Sequence, residues 1–368
     1  MDTDTLKFLV FNPTIIPRKD IFSIDIDLNI TDLNNLKLID DNNNEYKFEY
    51  SDSTLKFTPK IDPLSYSFYY LTHEDKNKNR KKNKDNIKQH ESFFYDIEIS
   101  EDKKSILIKY NHDFVYELYF EIKEDYILNI KEQTTNTIEK IYLISGRNKH
   151  RLFELKIIQY NGINRLEFEL KAQKIDGIII KPKIEISKTF VNYPFGIEET
   201  KRSKIQSLDF LFLRGSPYNL IYCQKNSQQF IINLNNKSFI NKMNSKCEYF
   251  FFISITDNNE ISDIYNYITC YYYRLIGIAF YDNYKYKAQK SSFLNLSSTV
   301  NLINLWRRKN GIYLRLFNPS SKSQNISING ILTNEYTFLT DLTLSEISEL
   351  PSNNIKINGF KIMTLKIK

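Results

Sequence analysis

Bond-breaking chemistry needs a metal site, a nucleophile beside a base, or two carboxylates converging on one cleft. The chain has four histidines, His73, His90, His112 and His150. No two stand at the i, i+4 spacing that puts metal ligands on one helix face, and there is no His-Glu-x-x-His. His73 and His90 sit in or beside a charged run, His112 in the turn Asn111-His112-Asp113, and His150 in the basic segment RNKHR, so each reads as a surface residue. The three cysteines, Cys223, Cys247 and Cys270, are scattered and form no Cys-x-x-Cys pair, which argues against a zinc clasp. Cys223 and Cys270 lie in apolar surroundings, where a thiol is usually an inert small hydrophobe. Nucleophile-elbow, dinucleotide-binding and Walker loops are absent. Asp209 and the pair Glu198-Glu199 are the carboxylates a hydrolase could recruit, although hairpin carboxylates are ordinarily just solvated.

The most distinctive local stretch is Tyr193-Pro194-Phe195-Gly196-Ile197-Glu198-Glu199-Thr200-Lys201-Arg202. Aromatic, proline and glycine together make a tight, rigid loop, and alternating charge follows it. Rigid loops on β scaffolds often hold function. A crossover between the two sheets of a sandwich is the structural alternative.

The elements that must position these residues are strands. The chain has 368 residues, with 26 Tyr and 26 Phe against nine Gly and nine Pro. That aromatic load fits pleated, half-buried surfaces. In IFSIDIDL, Phe22, Ile24, Ile26 and Leu28 alternate with polar residues, the period of a strand with one buried face. LKLID and YKFEY flank the turn signal DDNNN, and RLFELKIIQYNGINRLEFELKAQ reads as a hairpin around Tyr160-Asn161-Gly162. One segment departs from period two. Ile261, Ile264, Tyr265, Ile268, Tyr272 and Leu275 recur every three or four residues and predict a helix, with Asp257 and Glu260 placed as a capping box.

The formal net charge is +7, and much of the excess lies between His73 and Glu91. That run has one apolar residue, Ile87, and no aromatic among its lysines, so it reads as a solvated linker rather than a nucleic-acid tail. The opening MDTDTLKFLVFNP lacks the apolar core of a signal peptide, and no apolar run approaches the ~18 residues of a membrane span. With reduced thiols, this points to the cytoplasm. The expected organisation is all-β and multi-domain. It has a small sandwich over 1–72, the linker over 73–91, a large sandwich over 92–298 with one helix, and a small β domain over 299–368.

Several segments, in order, resemble family 38 glycoside hydrolases, the α-mannosidases. LVFNPTIIPRKDIFSIDI is similar to the stretch that opens that family's β region. PKIDPLSYSFYYL resembles its Tyr-rich strand, with Ser65 where glycine is usual. YNGINRLEFELKAQ resembles a strand pair of the large sandwich, and NYPFGIEETKR its Pro-Phe-Gly loop. WRRKNGIYLRLFNPSS and GFKIMTLKIK resemble the last β domain, with Lys361 at a position usually held by glutamate. The likeness runs over nearly the whole chain outside the linker.

The resemblance implies a galactose-mutarotase-like large sandwich with smaller β domains. It implies no catalytic residue, metal or cofactor in this chain. In that family, zinc and the nucleophilic aspartate belong to a β/α domain, here expected on a separate chain. Tyr193, Phe195, Glu198, Glu199, Arg202 and Arg214 are the implied contacts to carbohydrate or cleft. The implied partner is the catalytic β/α chain of a split α-mannosidase, or a second copy through self-association. The alternatives are a free-standing carbohydrate-binding module, marked by aligned exposed aromatics, and a truncated gene product without activity.

Overall fold

The computed structural model describes residues 6–28, 35–73, 93–148, 151–172, 175–193, 196–207, 210–224, 228–233, 238–242, 248–257, 261–281, 291–292, 295–296, 300–308, 311–318, 320–329, 337–341, 343–350 and 354–367. Antiparallel strands dominate, and the one helix among the described residues, Ile261–Tyr272, falls where its period places it. The fold is an all-β, multi-domain sandwich architecture. Contacts divide it into two compact units, one made of 1–89 with 261–368 and the other of 90–260.

The second unit is the large sandwich. Its seven-stranded sheet runs Tyr95–Ile99, Ile106–Tyr110, Asp113–Glu121, Gly177–Pro182, Ser238–Lys242, Gln228–Asn233 and Lys204–Ser207. Its nine-stranded sheet runs Ile127–Thr135, Glu139–Arg147, Arg151–Tyr160, Leu166–Ala172, Glu248–Thr256, Asn219–Gln224, Phe210–Ser216, Glu185–Tyr193 and Gly196–Glu199. Alternate residues of both sheets, among them Ile108, Leu118, Ile180, Leu155, Phe168, Tyr222 and Phe251, fill one core. Each such side chain contributes roughly 1.5–3 kcal/mol when fully buried. Asn111 and His112 both have positive φ and join Tyr110 to Asp113, the geometry of a two-residue primed hairpin turn.

The first unit gathers strands from both ends of the chain. Ile276–Tyr281 pairs with Leu6–Phe11, and Leu6–Phe11 with Ser65–His73. The sequence boundaries expected after residue 72 and before 299 thus separate segments that pair with each other. His73, read as the start of the linker, is the last residue of a strand, opposite Leu36. The rest of the linker, and Glu260 of the capping box, lie outside the described residues. The six-stranded sheet packs Phe8, Val10 and Tyr69 onto Phe22, Leu55 and Phe57 of the three-stranded sheet. Gly277 makes that contact possible, since a Cβ there would lie 2.6 Å from the Phe22 ring. The helix buries Ile264, Ile268 and Tyr271. Its C-terminal carbonyls need donors. Arg18, buried and paired with Asp20, donates to Cys270 O at 2.7 Å and to Tyr273 O.

Two asparagines close this unit in the same way. Asn12 Nδ2 donates to Ile16 O at 2.7 Å and Asp62 O at 2.9 Å, and its Oδ1 accepts from Thr14 N at 3.0 Å. Asn318 Nδ2 donates to Lys322 O at 2.8 Å and Ile357 O at 3.0 Å, and its Oδ1 accepts from Ser320 N at 3.0 Å. Both side chains are fully buried. Each follows a strand ending in Phe and precedes Pro-Thr or Pro-Ser. Replacing either with alanine strands several buried carbonyls and N–H groups, at about 1–3 kcal/mol. Asn12→Ala and Asn318→Ala should each lower the urea midpoint of this unit by a comparable amount. An unchanged midpoint in both would show that the knots are not structural.

Candidate functional site

The strands on either side of Pro194 and Phe195, Glu185–Tyr193 and Gly196–Glu199, pair at the edge of the nine-stranded sheet. A two-residue connection sets Tyr193 opposite Gly196, and counting outward puts Ile197 against Asn192 and Glu199 against Phe190. On the inner neighbour, Lys188 faces Arg214 and Phe190 faces Phe212. Because residues alternate between faces, Lys188, Phe190, Arg214 and Glu199 share one side of the sheet.

Their charges are coupled. Lys188 Nζ donates to Glu199 Oε2 at 2.8 Å. The Arg214 guanidinium lies 5.2 Å above the Phe190 ring centroid. The hydrogen bond from Lys188, with the charges of Lys188, Lys201 and Arg214, holds the Glu199 carboxyl below its ordinary range. An exposed pair of this kind adds little to stability. It is better placed to meet a polar ligand, with Lys188 and Glu199 exposed side by side and the Phe190 ring buried beneath the guanidinium.

Of the residues read from the sequence, Glu199 and Arg214 come together here. Glu198 is exposed but, one residue along the same strand, points to the opposite face beside Val191. The adjacent glutamates therefore do not converge as a hydrolytic pair. Arg202 is exposed, its N–H bonded to Thr200 Oγ1 at 3.2 Å. Tyr193 ends its strand, while Phe195 and Asp209 lie outside the described residues. Lys188 was not anticipated, although the register of a two-residue hairpin would have placed it near Glu199.

A buried knot holds the strand at Asn192. Asn192 Oδ1 accepts from Ser207 Oγ at 2.7 Å and from Phe210 N at 3.0 Å. Nothing in the sequence marks this pairing, because the two residues stand on different sheets.

A second polar cluster lies on the seven-stranded sheet. Glu117 accepts from Ser105 Oγ and Tyr119 OH, each at 2.6 Å, and lies 3.1 Å from Lys183 Nζ. Lys181 Nζ sits 3.9 Å over the Tyr119 ring. Burial raises the Glu117 pKa, but the bonds from Ser105, Tyr119 and Lys183 outweigh it and hold the carboxyl low. Burial and the neighbouring Glu117 push the Tyr119 phenol up to about 12. This is one carboxylate satisfied by a cage of donors.

Among the described residues, no three His, Cys, Asp or Glu side chains group as a metal site. His112 is exposed at its turn, 3.2 Å from Asp96. Cys223 is fully buried. No helix among the described residues is long and apolar enough to cross a membrane.

Sequence comparison finds no matching family model and no matching curated protein. Structure comparison does find matches. The whole chain superposes on the crystal structure of an alpha-mannosidase from Enterococcus faecalis V583, with TM-score 0.72 and 9% identity, spanning 56% of that chain. It superposes equally on a protein in glycosyl hydrolase family 38 from Enterococcus faecalis, with TM-score 0.73 and 11% identity, spanning 59% of that chain. The fold is that of the C-terminal region of a family 38 glycoside hydrolase. The chain thus spans little more than half the length of the two proteins it matches.

Glu117 makes a pH prediction with a definite sign. Its folded pKa lies below the ordinary 4.5, so its stabilisation is present above that pH and is lost as pH falls through the folded value. Glu117→Gln should cost about 1–2 kcal/mol at pH 7 and progressively less as the pH falls below 4.5, read from urea unfolding at pH 7 and at low pH. Equal losses at the two pH values would show that the ionised form plays no part.

Proposed function

We propose that this chain is the non-catalytic C-terminal half of an α-mannosidase-like glycoside hydrolase. It completes or stabilises a carbohydrate-cleaving enzyme whose catalytic β/α region is encoded on a separate chain. The single observation that carries this reading is the asymmetry of the structural match. All of this chain is covered, yet only 56–59% of each mannosidase. In this proposal zinc and the nucleophile are supplied by the partner chain. This chain's own part is binding. The exposed Lys188 offers a donor to sugar hydroxyls and Glu199 an acceptor.

The purified chain alone should not hydrolyse an aryl α-mannoside, with or without added zinc. Co-expressed with a β/α chain of the same genome that carries paired Asp and His, it should give turnover that depends on both chains. Chelator-sensitive activity from this chain alone would overturn the proposal.

A further inference from the structure

The two sheets of the first unit turn very different faces outward. On the three-stranded sheet the outward residues are Ser23, Asp25, Lys56 and Glu49, the polar side expected of an antiparallel sheet facing water. On the six-stranded sheet the outward side carries two apolar rows, Ile278–Leu9–Phe68 and Ile276–Phe11–Tyr66, bordered by Lys7 lying over the Tyr70 ring. Phe11 packs against the core formed by Ile15, Leu64 and Val300. Leu9, Phe68, Ile276 and Ile278 belong to none of the three apolar cores. Ile276 and Ile278, on the edge strand, are 58% and 59% exposed. Single exposed apolar residues are ordinary, but contiguous cross-strand rows on one face of a sheet mark a surface that is covered in use.

We infer that this face, centred on Ile276, Ile278, Leu9 and Phe68, is the docking surface for the separate catalytic chain. The inference rests on the proposed function. The occupant is argued from the match, because each mannosidase that carries this fold carries, in the rest of its length, further polypeptide that this chain does not span. A stable interface buries about 1,200–2,000 Å² and concentrates its energy in an apolar centre, for which four clustered Ile, Leu and Phe side chains are suited.

The test uses the full chain co-expressed with the β/α chain of the same genome, followed by size-exclusion chromatography with light scattering and by titration. Ile276→Glu with Ile278→Glu should weaken the heteromer by at least about thirtyfold, as expected for a hot-spot pair. Ser23→Glu on the polar sheet should leave it intact. Ile276→Ser with Ile278→Ser, a milder pair at the same exposed positions, guards against misfolding, and circular dichroism and thermal midpoint should match wild type throughout. A heteromer that survives both double variants overturns the docking surface and leaves the split-enzyme reading standing. A wild-type chain that forms no heteromer overturns both. Self-association abolished by the same variants would make a second copy the occupant, contrary to the inference.

Discussion

The first unit depends on two buried asparagines. An amide side chain is the shortest group that offers two donors and an acceptor in one plane. At Asn12 and Asn318 all of these are used within a few residues of a strand end. Each also ties its own N–H to the strand that pairs with it, Asn12 to Ser65 O at 2.9 Å and Asn318 to Lys361 O at 3.0 Å. The following proline has no N–H to satisfy, so the chain can leave the strand there without orphaning a donor. The same arrangement occurs twice, with a short strand pair behind each knot, Arg18–Lys19 with Lys60–Ile61 and Gln324–Ile326 with Ile355–Ile357. One local solution to a strand-end problem therefore organises both ends of the chain.

The large sandwich meets a different constraint. Its long strands bury one face fully, and polar residues on the other must either reach water or find partners. Around Glu117 the partners are two hydroxyls and a lysine. At the sheet edge, Lys188 and Glu199 remain exposed and Arg214 is half-buried, with charge arranged around Phe190. The first arrangement is a satisfied structural cluster, while the second leaves hydrogen-bonding capacity facing solvent, which is why the edge carries the binding proposal.

Much of the fold was legible in the sequence because strand and helix periods are local. The alternation in IFSIDIDL, the hairpin around Gly162 and the three- and four-residue spacing before Leu275 each report a buried face, and each element formed. The turn at Asp40 was legible for the same reason: its carboxylate accepts from the N–H groups of Asn42 and Asn44, both at 2.9 Å, a bond that needs no distant partner. The sequence by itself thus determined the β class, the position of the helix and, through ordered motifs, a likeness to family 38 hydrolases that the superposition bears out at the level of fold. Pairing between distant strands was decided only in three dimensions. Nothing local to IGIAFY tells it to lie against Leu6–Phe11 more than 260 residues earlier, so the domain boundary near 298 was drawn through a sheet. Nothing local to Glu198 and Glu199 reveals that they face opposite ways, nor that Lys188 meets the second of them, until the register is fixed. Period sets which face of a strand is buried, but which strand lies beside it is set by the shared burial of side chains far apart in the chain.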